Sequence, residues 1–165
     1  MTVNQSIRLI QRLWLRAALV VVLLLGALPA PAMAASPNLD LSLDLRAAVD
    51  RTLTAIPASF YKVDDVAGLK RLQTDAQAQV VDVREPAEYA AGHIPGAINM
   101  PLRTLAQHLD AIERDHPVVL YCSSGYRSAM GVVTLHLLGY DHVQGFPPSF
   151  EGWQAAGEAI ALKAD

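Results

Sequence analysis

The chain has 165 residues, of which 52% are hydrophobic, and a formal net charge of −3. That length suits one domain with a buried core, and the charge balance excludes a broad basic surface for nucleic acid or for an anionic membrane. A single Cys excludes an internal disulfide and leaves either an inert buried thiol or a free reactive one.

Arg8, Arg12 and Arg16 are the charged residues before Asp40, and Ala17 to Leu28 is an apolar run. The run is shorter than the about 20 residues that a membrane span needs. Pro29, Pro31 and Ala32-Met33-Ala34 follow. A basic segment, a short apolar segment and an A-x-A site together predict a secretion signal over 1–34, cleaved after Ala34, with an uncleaved anchor as the alternative. Export to the periplasm is the expected localisation, and the membrane is met only transiently, through this segment. Without 1–34 the chain carries 10 basic against 16 acidic residues, a formal charge of −6, so no nucleic-acid partner is expected.

Residues 35–58 read as an N-terminal extension. Within it Leu45, Val49, Leu53 and Ile56 recur at helical spacing before Pro57, which predicts an amphipathic helix packed on the domain. The domain itself is expected over 59–165. Phe60 to Val63 reads as a strand, and Asp64-Asp65 can cap a helix running to about Leu72. Val80 to Val83 is an apolar strand interrupted by Asp82. Pro86 opens a helix that stops at Gly92. Pro95-Gly96 turns the chain into a short strand, Ala97 to Asn99, and Pro101 starts a helix to about Ile112. Val118 to Tyr121 is a strand of buried type, Ser128 to Leu138 a helix closed by Gly139, and a strand near Val143 leads to a helix around Trp153. Strands alternating with helices across short loops predict an α/β fold, a parallel sheet covered on both faces.

The chemistry concentrates in Cys122-Ser123-Ser124-Gly125-Tyr126-Arg127. Sites in open α/β sheets form beyond the carboxyl ends of strands, and Cys122 follows directly on such an end. The helix after the loop begins with N–H groups that lack an internal partner. Small residues and Gly125 let those groups converge into an anion cradle, with the helix dipole adding positive potential. A thiol at its centre is driven toward the thiolate, which is the nucleophile. Arg127 adds a permanent charge and a planar fork for oxyanions, and the Ser128 hydroxyl is expected to donate to the sulfur. The alternative is a buried, inert Cys at the end of a core strand.

Four further stretches carry a resemblance: Val81-Asp82-Val83-Arg84-Glu85, Glu88-Tyr89, Gly92-His93-Ile94-Pro95-Gly96-Ala97-Ile98-Asn99 and Phe150-Glu151-Gly152-Trp153-Gln154-Ala155-Ala156-Gly157. With the Cys122 loop, they make the chain resemble the rhodanese family of sulfurtransferases from about Phe60 to Gly157. The resemblance implies a five-stranded parallel sheet with helices on both faces. It implies that the Cys122 thiolate takes sulfur from a donor such as thiosulfate, becomes a persulfide, and passes the outer sulfur to cyanide or a thiol, including the thiol of an acceptor protein. It implies that no cofactor or metal is needed. The chain departs from the family where a Gly-Gly pair often precedes the last helix: here Pro148-Ser149 stands there, preceded by Pro147.

Asp82 and Arg84 are expected in a supporting role, the carboxylate bracing the loops and the guanidinium either pairing with it or attracting an anion. His93 reads as a hydrogen-bonded structural residue and Trp153 as a core anchor. His108, His116, His136 and His142 lack metal-ligand spacing. Two other functions compete: a Cys-dependent phosphatase or arsenate reductase, and a module that binds or relays sulfur without turnover. Phosphatase loops typically place five residues between Cys and Arg, whereas four stand here, and Tyr121 sits where those enzymes usually carry His.

Overall fold

The computed structural model describes residues 37–162, with side chains from residue 42 onward. Two compact units divide between Leu41 and Ser42, and the second carries the sheet. The expected signal segment, 1–34, lies outside the described residues. Among the described residues no helix is long and apolar enough to cross a membrane.

In chain order the elements are α1 (Pro37–Thr54), α2 (Val66–Asp75), β1 (Gln79–Asp82), α3 (Pro86–Ala91), β2 (Ile98–Asn99), two 3-10 helices (Leu102–Gln107 and Leu109–Ala111), β3 (Val118–Tyr121), α4 (Tyr126–Leu137), β4 (Val143–Gly145) and α5 (Ser149–Ala155). The strands form one parallel sheet in the order β2-β1-β3-β4. Val81 lies between Ile98 and Leu120, and Val119 beside Gln144. β3 is central and buried along its whole length. Its side chains alternate between two cores, as a strand period of two requires. Val118, Leu120 and Cys122 pack with Leu135 of α4 and Leu105 of the first 3-10 helix. Val119 and Tyr121 pack on the other face with Leu69 of α2 and Trp153 of α5. Each fully buried aliphatic side chain contributes about 1.5–3 kcal/mol, so β3 is a rigid mount for whatever follows it.

Three expectations need correction. The sheet has four strands, not five. Phe60 and Tyr61 adopt left-handed backbone, φ 53° and 51°, which bends the chain where a fifth strand was expected. What survives is a single parallel bridge, Lys62 to Gly145. The segment after Pro101 winds as two 3-10 helices, not one α-helix. The apolar face of α1 does not pack on the domain: Leu45 and Leu53 are more than half exposed. Contact is made in the last turn of α1 and just past it, where the Tyr61 hydroxyl donates to Ala55 O at 3.1 Å. There Thr52 and Ile56 line an apolar cavity of about 260 Å³ with Phe60, Tyr61 and Val132.

Asp82 and Arg84 tie the carboxyl edge of the sheet together. Both are buried. Asp82 accepts from the Arg84 backbone N–H at 2.9 Å and from its guanidinium at 2.6–3.0 Å. Arg84 Nη2 also donates to Gly92 O at 2.7 Å, reaching the end of α3, and the guanidinium lies 4.1 Å from the Phe150 ring centre. The second option for Arg84, attracting an anion, is excluded by this burial and pairing. Removing one partner of a buried ion pair leaves the other uncompensated and costs about 3–5 kcal/mol. Asp82→Asn is therefore expected to lower the free energy of unfolding by that amount in urea titration. A loss below about 1 kcal/mol, the range of an exposed pair, contradicts this brace.

Candidate active site

β3 delivers Cys122 to the carboxyl edge of the sheet, and the chain turns at once into α4. The turn is made at Gly125, the residue before the helix, with φ 98°. A side chain there is disfavoured twice: the backbone is left-handed, and a Cβ would press on Pro147 O at 3.0 Å. The helix begins at Tyr126, two residues earlier than the sequence pattern suggests, so Tyr126 and Arg127 belong to its first turn. Its unpaired N–H groups face back toward the sulfur.

The Gly125 N–H donates to Cys122 Sγ at 3.1 Å. The thiol is buried, and burial alone would push it up. Backbone N–H groups of Ser128, Ser124, Gly125 and Arg127 oppose that effect and outweigh it, so the thiol lies below its ordinary value. Ser128 acts through this backbone group. Its hydroxyl donates to Gly125 O at 2.9 Å, which corrects the expectation that the hydroxyl serves the sulfur. Ser124 and Tyr126 point outward, Tyr126 with 79% exposure.

Arg127 is clamped. Nη1 donates to Glu88 Oε2 at 2.7 Å and Nη2 to Oε1 at 2.8 Å. Nη2 also donates to Ser123 Oγ at 2.8 Å, and that hydroxyl donates to Glu88 Oε1 at 3.1 Å. Glu88 sits in the first turn of α3, where it also accepts from the Glu85 N–H at 3.1 Å and closes a capping box. The Arg127 hydrogen bonds hold the Glu88 carboxyl down at about 2, against the opposing effect of its partial burial. Arg127 is raised, first by its hydrogen bonds to Glu88 and to a smaller extent by Cys122.

Two residues at this site escaped the sequence reading. Glu88 was visible only as part of a motif, without a role. Ser149, the first residue of α5, accepts a hydrogen bond from the Cys122 backbone N–H at 3.3 Å, and its Oγ lies 4.0 Å from Sγ. The departure at Pro148-Ser149 was the signal that pointed to it. His93 stacks on Tyr89 at 3.7 Å, and its Nδ1 lies 3.0 Å from Tyr89 O. Trp153 is buried and donates to Ala159 O at 2.8 Å. Among the described residues no group of three or more His, Cys, Asp or Glu is arranged to hold a metal ion.

A thiolate held this way titrates early. Alkylation of Cys122 by a neutral reagent is expected to show a pH midpoint below the about 8.5 of a free thiol. The rate is lost as pH falls through the lowered Cys122 value. Glu88 does not set this acid limb, because its carboxylate stays ionised down to about 2. A midpoint at or above the free-thiol value contradicts the converging N–H groups.

Comparison with known proteins identifies the family and the fold. The chain is 42% identical over 77 residues to the uncharacterized protein YqhL of Bacillus subtilis, a match covering 47% of this chain but only 61% of that relative. It is 32% identical over 99 residues to a sulfurtransferase of Allochromatium vinosum, covering 60% of this chain and 92% of the relative. Among solved structures, a rhodanese-related protein from Thermoplasma volcanium matches with a TM-score of 0.56 and 30% identity, over 62% of this chain and 98% of the other. The model of the Rhodanese-like domain matches residues 65–156, more than half of the chain, and by that match the chain belongs to the rhodanese-like domain family.

Proposed function

We propose that this protein is a sulfurtransferase that carries sulfane sulfur on Cys122. The observation that carries the reading is the Gly125 N–H on a buried sulfur at 3.1 Å, at the head of a helix whose first N–H groups lower the thiol further. In the first half-reaction the Cys122 thiolate attacks the outer sulfur of a donor such as thiosulfate. A sulfur–sulfur bond forms on Cys122, the donor's own sulfur–sulfur bond breaks, and sulfite leaves with that bonding pair. In the second, cyanide or a thiolate attacks the outer sulfur of the persulfide. Thiocyanate or a new persulfide leaves, and the Cys122 thiolate returns. The ring stabilises the anion on the Cys122 sulfur before loading and after discharge, and on the outer sulfur while the persulfide is loaded. Donors fixed before the reaction need no reorganisation during it. Arg127, held by Glu88, supplies positive charge to an anionic donor without depending on protonation. We propose further that the protein acts after export, in the periplasm, with a small thiol or an acceptor protein receiving the sulfur.

Incubation with thiosulfate is expected to add the mass of one sulfur atom to the intact protein, and cyanide to remove it. Cys122→Ser abolishes loading, because no other thiol exists in the chain. Failure to load from any sulfane donor ends the sulfurtransferase reading. Arg127→Ala removes a charge-assisted contact worth about 1.5–3 kcal/mol, so kcat/KM for thiosulfate falls by about tenfold or more while alkylation by a neutral reagent falls less. Equal losses would mean that Arg127 only holds the loop.

The loop also predicts selectivity. Four residues separate Cys122 from Arg127, and a ring this short closes around one sulfur atom. The equatorial oxygens of a phosphoryl group on Cys122 would meet its donors poorly, and a misplacement of about 1 Å costs on the order of a hundredfold in rate. Aryl phosphate hydrolysis is expected to be negligible where sulfur transfer is measurable. Robust hydrolysis that depends on Cys122 would put the phosphatase reading first.

A further inference from the structure

Ser149 stands in an unusual place. It is fully buried, yet its backbone is left-handed, φ 54°. That conformation is uncommon for any residue with a side chain and costs nothing to glycine. Strain of this kind persists where the surroundings over-determine it, and it clusters at functional sites. Here the surroundings are the nucleophile. The Gly125 N–H, at the start of α4, reaches Cys122 Sγ at 3.1 Å, but the N–H of Cys122 itself finds the Ser149 hydroxyl at 3.3 Å. That hydroxyl donates its own hydrogen to Phe146 O at 2.9 Å, which turns its lone pairs toward Cys122. The next two residues complete a clamp. Phe150 N donates to Cys122 O at 3.0 Å, and Glu151 N donates to Ser123 O at 3.1 Å.

We propose that Ser149 is a positioning residue for Cys122: its hydroxyl anchors the Cys122 N–H and so keeps the sulfur centred in the ring. Both backbone groups of the nucleophile are then held by one tripeptide, Ser149 to Glu151. A backbone amide on the Phe150 side holds the carbonyl, whereas the N–H depends on a side chain. Without that side chain a buried N–H is left unpaired, which is costly enough to move the backbone. A shift of the sulfur within the ring lengthens several N–H contacts at once. Serine in place of glycine at this position strains the backbone and in exchange provides the oxygen.

The effect on sulfur transfer rests on the sulfurtransferase reading, whereas the effect on alkylation does not. Ser149→Ala and Ser149→Gly separate the hydroxyl from the strain, because both lose the oxygen and only glycine relieves the backbone. Thermal unfolding, steady-state transfer from thiosulfate to cyanide, and the rate of Cys122 alkylation are measured for both. Ser149→Gly is expected to melt above Ser149→Ala. Both are expected to lose kcat by on the order of ten- to a hundredfold, with KM for thiosulfate unchanged and alkylation slowed in parallel. The proposal is overturned if Ser149→Gly transfers sulfur at the native rate while Ser149→Ala does not, since activity would then follow strain and stability. It is equally overturned if both variants keep the native rate. Should the unaltered protein alkylate normally yet load no sulfur, the sulfurtransferase reading fails by itself. Ser149 is then judged on alkylation alone: slowing in both variants supports the anchor, and unchanged rates refute it.

Discussion

Backbone N–H groups converging on one buried sulfur are the interaction around which the rest of this domain is arranged. A sulfur atom at the end of β3 is buried, and burial by itself favours the neutral, unreactive thiol. Peptide N–H groups of Ser124, Gly125, Arg127 and Ser128 reverse that preference. They can do so only if the chain leaves the strand, turns left-handed at Gly125 and enters α4 within four residues of Cys122. The requirement spreads outward. Pro147 closes over Gly125 and would crowd a Cβ there. Ser149 to Glu151 hold the strand end from the opposite side. The central strand below is buried on both faces and cannot yield.

Two carboxylate–guanidinium pairs flank this centre, and their environments give them different work. Asp82 and Arg84 are buried and bonded through three side-chain contacts, with Arg84 reaching on to Gly92. That pair joins the end of β1 to the end of α3 and fixes the loops around the site. Glu88 and Arg127 are each about one-third exposed. Screening by solvent makes such a pair a modest contributor to stability. Its value lies in aim: Ser123 and Glu88 together set the direction of the fork. A basic residue on a free tether would lose conformational entropy at every encounter with an anion.

Much of this was legible in the sequence, for reasons that can be named. Val118 to Tyr121 is an unbroken apolar run, and such a run before a glycine-containing loop is a buried strand delivering a site. Cys122, Gly125 and Arg127 announce a cradle by residue type and order. The helix from Pro86 was marked at both ends, by Pro at its start and Gly92 after it. What stayed hidden depends on tertiary contacts. Nothing local indicates that Phe60 and Tyr61 turn left-handed and reduce a fifth strand to one bridge. The periodicity of Leu45, Val49 and Leu53 describes a helix face but not whether the domain covers it, and Leu45 and Leu53 are left more than half exposed. Glu88 and Ser149 lie 39 and 27 positions from the residues they serve. The sequence alone leaves the Ser128 hydroxyl free to donate to the sulfur. The helix turn instead offers that hydroxyl the Gly125 carbonyl and gives the sulfur the backbone N–H.

The central claim is that peptide N–H groups, and not a side-chain base, hold Cys122 as a thiolate. Replacing the amide that carries the Gly125 N–H with an ester removes one donor and leaves every side chain in place. The thiolate is then titrated by its ultraviolet absorbance in the ester protein and in the all-amide protein. The Cys122 midpoint is expected to rise in the ester protein, toward the free-thiol value. A midpoint unmoved by the loss of that N–H contradicts the claim.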